Sequence, residues 1–210
     1  NGGGVSVIDL ATNTVTDTVA DPNLPTGIDI SPNGATVYVA NTKPAGVTAI
    51  STATNSATTT ALPTVGGGYG IAAAANGQDV YLTAFSSSDQ NLYVLDAATM
   101  AIKQTIPTGS HNKGITMSPD GKQLWIAANS TDSVQVLSTS TNEIVAAIPV
   151  GNMPERITFT PDGSQAWVAN LGGKSVTVID TATLQPTATY AAGLFPFSVA
   201  FNANGTMAHV

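Results

Sequence analysis

Across 210 residues, charged side chains make up 9% and hydrophobic ones 42%, which excludes an acidic disordered segment and supplies enough apolar surface for a sizeable core. The net charge of -7 comes from 13 acidic and 6 basic residues; with no Lys/Arg cluster to neutralise phosphates, nucleic acid is excluded as an expected partner and an anionic membrane surface is disfavoured. No cysteine is present, which removes disulfides, thiolate nucleophiles and Cys-based metal centres, and no apolar run reaches the ~18 residues of a transmembrane helix, so no membrane insertion is expected.

The first predicted elements are a strand at Val5-Ser6-Val7-Ile8, a turn opened by Asp9, and a second strand around Val15. Asp side chains close such turns by accepting from backbone N–H groups two residues on. The next strand, Gly27-Ile28-Asp29-Ile30, runs into Pro32-Asn33-Gly34 and out through Val37-Tyr38-Val39-Ala40-Asn41. Asn-Gly tolerates positive φ and makes tight hairpin connections. Turns of this kind recur at Asn76-Gly77, Asp120-Gly121, Asp162-Gly163 and Asn204-Gly205, at spacings of 43, 44, 42 and 42 residues.

Each turn joins a strand A to a strand B. Strand A recurs as Gly70-Ile71-Ala72-Ala73, Gly114-Ile115-Thr116-Met117, Arg156-Ile157-Thr158-Phe159 and Ser198-Val199-Ala200-Phe201. Strand B carries an aromatic at one fixed place: Tyr38, Tyr81, Trp125, Trp167, with His209 as the last replacement. Strand C follows at Val47-Ile50, Leu92-Leu95, Val134-Leu137 and Val176-Ile179, and strand D closes the unit, as in Ile144-Val145-Ala146-Ala147-Ile148-Pro149, whose terminal Pro suits an edge. Alternation of large and small residues marks strands packed on their faces. Four antiparallel strands at this period are the signature of a β-propeller blade, which cannot bury both faces alone.

Val37-Tyr38-Val39-Ala40-Asn41, Ala166-Trp167-Val168-Ala169-Asn170, Val176-Thr177-Val178-Ile179-Asp180-Thr181-Ala182-Thr183 and Ile148-Pro149-Val150-Gly151 resemble the repeat of the YVTN-family propellers. That resemblance covers essentially the whole chain. It implies a propeller, often of seven blades, on archaeal or bacterial surfaces or in secreted or periplasmic proteins, and it implies no single activity.

The expected fold class is therefore all-β: a single β-propeller domain over 1–210, with repeats 35–77, 78–121, 122–163 and 164–205 and a split blade from 206–210 plus 1–34. Since the chain begins at strand C and stops after strand B, five blades with a two-plus-two strand closure is the favoured arrangement. Five repeats of a seven-bladed ring is the alternative.

Positions that depart from the repeat are the candidates for function. The D-to-A loop varies most, and propeller geometry places it with the B-to-C loop on one face, around the mouth of a central channel. Tyr69, His111, Lys113, Glu155, Arg156, Phe195 and Phe197 are the ligand- or partner-binding candidates there. The competing reading makes Glu155 and Arg156 solvated ion-pair partners and Phe195 and Phe197 a plug in the channel. Asp29 is the one acid on strand A, and a general acid or metal ligand there lacks a carboxylate or His on a neighbouring strand A. Asn129-Ser130-Thr131 and Asn204-Gly205-Thr206 fit the N-glycosylation pattern.

No catalytic residue, metal site or cofactor is expected, because no cluster of acid, base and ligand groups can be assembled from these strands. The function expected is a non-enzymatic structural or interaction scaffold, secreted or at the cell surface (extracellular or periplasmic), with protein or self-association as its partner and a small ligand or glycan as a second class. The alternative is a ligand-binding propeller, or a lactonase- or lyase-like enzyme with its site at the channel mouth.

Overall fold

The computed structural model describes residues 3–63, 65–84 and 86–210. The strands in chain order are β1 (Gly4–Asp9), β2 (Thr14–Ala20), β3 (Pro25–Ile30), β4 (Thr36–Asn41), β5 (Gly46–Ser51), β6 (Ala57–Ala61), β7 (Gly68–Ala73), β8 (Asp79–Ala84), β9 (Asn91–Asp96) and β10 (Ile102–Pro107). They continue as β11 (Asn112–Met117), β12 (Gln123–Ala128), β13 (Ser133–Ser138), β14 (Glu143–Pro149), β15 (Pro154–Phe159), β16 (Gln165–Asn170), β17 (Ser175–Asp180), β18 (Gln185–Ala191), β19 (Ala200–Phe201) and β20 (Ala208–His209), with a short 3-10 turn at Asn129–Thr131. β3–β6, β7–β10, β11–β14 and β15–β18 are four-stranded antiparallel sheets in simple A-B-C-D order. The fold is all-β and built from propeller blades.

Local chemistry explains the hairpins. Gly34, Gly77, Gly121, Gly163 and Gly205 all sit at φ near +70°, between 67° and 72°, where a side chain would be strained. The preceding Asn or Asp locks the turn: Asn33 Oδ1 accepts from Ala35 N, and Asp162 Oδ1 from Ser164 N. The register then repeats, with Asp29 opposite Tyr38, Thr116 opposite Trp125, Thr158 opposite Trp167 and Ala200 opposite His209. His209 thus occupies the aromatic slot of strand B.

The C-to-D turns use Asp9, Asp96 and Asp180 as expected. Each Oδ1 accepts two backbone N–H groups, from Ala11 and Thr12, Ala98 and Thr99, and Ala182 and Thr183. These bonds favour the ionised form, so all three carboxyls titrate below their ordinary value of 3.8. For Asp9 and Asp180 the threonine N–H bond leads, and for Asp96 the Thr99 hydroxyl. A carboxyl depressed in the folded state contributes stability that is present above its unfolded pKa and lost as pH falls through the folded value. The urea midpoint is therefore expected to be flat from about pH 7 to 5 and to drop below about pH 4. Asp180→Asn should flatten part of that drop.

Two compact units are present, residues 1–89 with 93–104, and residues 90–92 with 105–210. In the first, Val5, Val7 and Val19 of the β1–β2 sheet pack on Val37, Val39 and Ile50, and Tyr38, Ala40 and Val47 pack against Ile71, Leu82 and Leu95. In the second, Trp125, Ala127 and Val134 meet Ile157, Val168 and Ile179, and Ala169 and Val176 meet Val199 and Phe201. Each such side chain taken fully out of water is worth about 1.5–3 kcal/mol.

β1–β2, in the first unit, and β19–β20, in the second, are each two-stranded among the described residues. The β19–β20 ladder pairs Ala200 with His209 and Phe201 with Ala208. The last strand A is likewise shorter than its repeat predicts, starting at Ala200 rather than Ser198.

Candidate functional site

Strand A carries the most constrained geometry. In unit two, Thr116 Oγ1 donates to Ile157 O at 2.8 Å and Thr158 Oγ1 to Val199 O at 2.8 Å. Both link one strand A to the next through the same repeat position. Asp29 occupies that position in unit one, where its Oδ2 accepts from Ala73 N at 2.8 Å and its Oδ1 from Ile30 N at 2.9 Å. Both carboxylate oxygens are therefore engaged by backbone, which makes Asp29 a strap between strands.

Six of the seven loop-face candidates lie in unit two, and Tyr69 lies in unit one on β7. His111 precedes β11; its N–H donates to Ser130 Oγ at 2.9 Å and its carbonyl accepts from Asn129 N at 2.9 Å. Lys113 is half-buried on β11. Glu155 is buried, with Asn129 Nδ2 donating to its Oε1 at 3.4 Å, so it is not the solvated group that the competing reading expects. Its neighbour Arg156 is half-buried, and its guanidinium carbon lies 5.3 Å from the centroid of the Phe197 ring, a cation–π distance. Phe195 and Phe197 are exposed.

Asn129 is also buried, and its amide donates to Pro154 O at 3.1 Å, so Asn129-Ser130-Thr131 is not an accessible glycosylation site. Asn204 remains exposed.

Two further residues belong with Phe195. Leu24, Met153 and Phe195 each precede a proline at the start of strand A, and each has positive φ, at 56°, 53° and 58°. All three side chains are exposed, by 51%, 39% and 67%. In the remaining full repeat of unit one, Gly67 takes positive φ in this loop, at 97°. Left-handed backbone costs a bulky residue about 1–2 kcal/mol. Gly67 adopts the conformation more cheaply and His111, at the same place before β11, does not adopt it, so the blade does not dictate a projecting Leu, Met or Phe there. Leu194, next to Phe195, is exposed as well.

No protein-family model and no curated protein sequence matches the chain. Solved structures do match. A Kuenenia stuttgartiensis hydrazine synthase chain aligns with a TM-score of 0.77 at 23% identity, over 86% of this chain and 53% of that one. A functionally unknown protein from Desulfotomaculum acetoxidans aligns with a TM-score of 0.82 at 18% identity, over 98% of this chain and 68% of that one. The chain thus spans about half the length of the hydrazine synthase chain it matches. At these identities the likeness establishes a propeller-type fold and no activity.

Proposed function

We propose that this chain is a non-enzymatic propeller scaffold, secreted or at a cell surface, with YVTN-like repeats, and that it contacts protein partners through the apolar residues projecting from its D-to-A loops. The observation that carries the reading is the strained, exposed set Leu24, Met153 and Phe195. Exposed aromatic and Met side chains beside an Arg are the composition of interface centres, and Arg156 against Phe197 supplies such a group next to Phe195. The low charge of the chain, 9%, suits a surface that recruits partners by apolar contact rather than by steering.

A photo-crosslinking side chain at Phe195, introduced in the source cells, tests this. Adducts to an envelope protein or to a second copy are expected, in the secreted or surface fraction. A chain confined to the cytoplasm, or one that yields no adduct, contradicts the reading.

The stability of Phe195→Gly separates contact from fold. Removing the left-handed strain gains about 1–2 kcal/mol, and the added freedom of glycine in the unfolded chain offsets about 0.5–1 kcal/mol. Phe195→Gly is therefore expected to unfold at the same or higher denaturant while losing the crosslinked or bound partner. A clear loss of stability would assign Phe195 to the fold.

A further inference from the structure

The first residue of strand A and the residue opposite it on strand B form a recurring pair. In the β3–β6 and β15–β18 sheets the pair is proline and asparagine: Pro25 lies opposite Asn41 and Pro154 opposite Asn170. Both asparagines are buried, and each donates through Nδ2 to a buried threonine of strand C, Thr48 at 2.8 Å and Thr177 at 2.9 Å. The β11–β14 sheet, which lies in the second unit, breaks the pattern at all three places. Asn112 stands for the proline and faces Ala128, and Gln135 stands where Thr48 and Thr177 stand in the register. Residues paired across strands share a face, as do residues two apart along one strand. Ala128 pairs with Ser133, so Asn112 and Gln135 project from one face, with only the small Ala128 side chain on the strand between them.

Both amides are held by Thr108 of the D-to-A loop. Gln135 Nε2 donates to Thr108 O at 2.8 Å, and Asn112 Nδ2 donates to Thr108 Oγ1 at 2.7 Å. A carbonyl only accepts, which fixes the orientation of the Gln135 amide. The single hydroxyl hydrogen of Thr108 is directed at a carbonyl, Gln90 O at 2.8 Å or Ser110 O at 3.2 Å, so its oxygen accepts from Asn112 and fixes that amide too. The two amide oxygens are thereby turned away from Thr108. Neither Asn112 Oδ1 nor Gln135 Oε1 has a hydrogen-bond partner among the described residues, although Asn112 is fully buried and Gln135 is 8% exposed. Buried acceptors are almost always paired.

We propose that one water molecule binds here, donating one hydrogen to Asn112 Oδ1 and the other to Gln135 Oε1, and so ties strand A to strand C beneath the D-to-A loop. The count of acceptors selects the occupant. Two oxygens match the two hydrogens of a water, whose buried sites supply about two to four polar partners, whereas Ca²⁺ takes about six to eight oxygens and Mg²⁺ about six. The bridge stands in for the missing proline: it holds the loop that carries His111 and leads to Lys113, where the corresponding loops are pinned by Pro25 and Pro154.

A high-resolution crystal structure of the unmodified chain tests this. One density peak is expected about 2.7–3.0 Å from both Asn112 Oδ1 and Gln135 Oε1. In Gln135→Met, which keeps the side-chain length and removes the oxygen, the peak should be lost and the unfolding equilibrium should shift about tenfold toward the unfolded chain. No peak, two separate peaks, or a direct bond from either oxygen to a protein donor overturns the proposal. So does a peak that persists at full occupancy in Gln135→Met, because Asn112 alone would then hold it. Thermal unfolding in choline, sodium, potassium and calcium chlorides at one ionic strength separates water from a metal ion. Equal midpoints are expected, and a rise specific to one cation would give the site to that ion instead.

Discussion

Replacing Trp125 with alanine is expected to cost about 3–5 kcal/mol of folding free energy, a large share of the 5–15 kcal/mol that holds a typical domain together. The ring is fully buried, and its Nε1–H donates to Gln123 Oε1 at 3.0 Å. It meets Phe159 edge-on at 5.4 Å within the cluster that joins β11–β14 to β15–β18. Truncation removes the sheet-to-sheet contact, leaves a cavity and orphans the Gln123 acceptor. Trp167→Ala provides the graded comparison. Trp167 is half-buried, stacked with Tyr190 at 5.8 Å and edge-on to Phe201 at 5.4 Å, so its loss should be smaller. Urea unfolding of the two variants checks the order; equal small losses would mean that the aromatic slot does not carry the packing.

The second large effect is steric. Gly114 on β11 faces the next strand A so closely that a Cβ there would lie 2.6 Å from Glu155 O and 3.3 Å from Arg156 Cα. These atoms belong to the backbone and cannot rotate away. Gly114→Ala must push β15 aside, and a loss of about 1–3 kcal/mol or more follows from the overpacking. Gly27 is its repeat equivalent in unit one, where the added carbon would fall on the Tyr69 carbonyl oxygen, so Gly27→Ala should behave alike. At Gly34, where the φ is 70° but nothing lies within 4 Å, alanine costs backbone strain alone, about 1–2 kcal/mol. Thermal or urea unfolding of the three variants separates close approach from turn strain, and a harmless Gly114→Ala would contradict the strand-to-strand contact.

Much of this architecture was legible because its determinants are local or periodic. Asn33-Gly34 and its repeats announce positive φ by composition, and the fixed aromatic of strand B set the register that places Ala200 opposite His209. The role of Asp29 was not legible, since its partner is a backbone N–H 44 residues away that no side-chain pattern marks. Glu155 read as a surface charge because its neighbour Asn129 sits in the short 3-10 turn 26 residues earlier in the chain. Leu24 and Met153 were missed for a different reason: glycine and asparagine signal positive φ, whereas Leu-Pro and Met-Pro signal extended backbone. Their shared position before the strand A proline was the available clue.

Burial concentrates stability in strands B and C and the strand A beside them, whereas strand D is largely exposed in β6, β14 and β18. Residue-resolved hydrogen exchange tests this most directly, because opening free energies report which strands belong to the cooperative core. Slow amides are expected in strands B and C, flanked by a protected strand A, recurring at the repeat spacing, with β6, β14 and β18 exchanging faster. Protection as high in those D strands as in β5, β13 and β17, or protection that ignores the repeat, would contradict it.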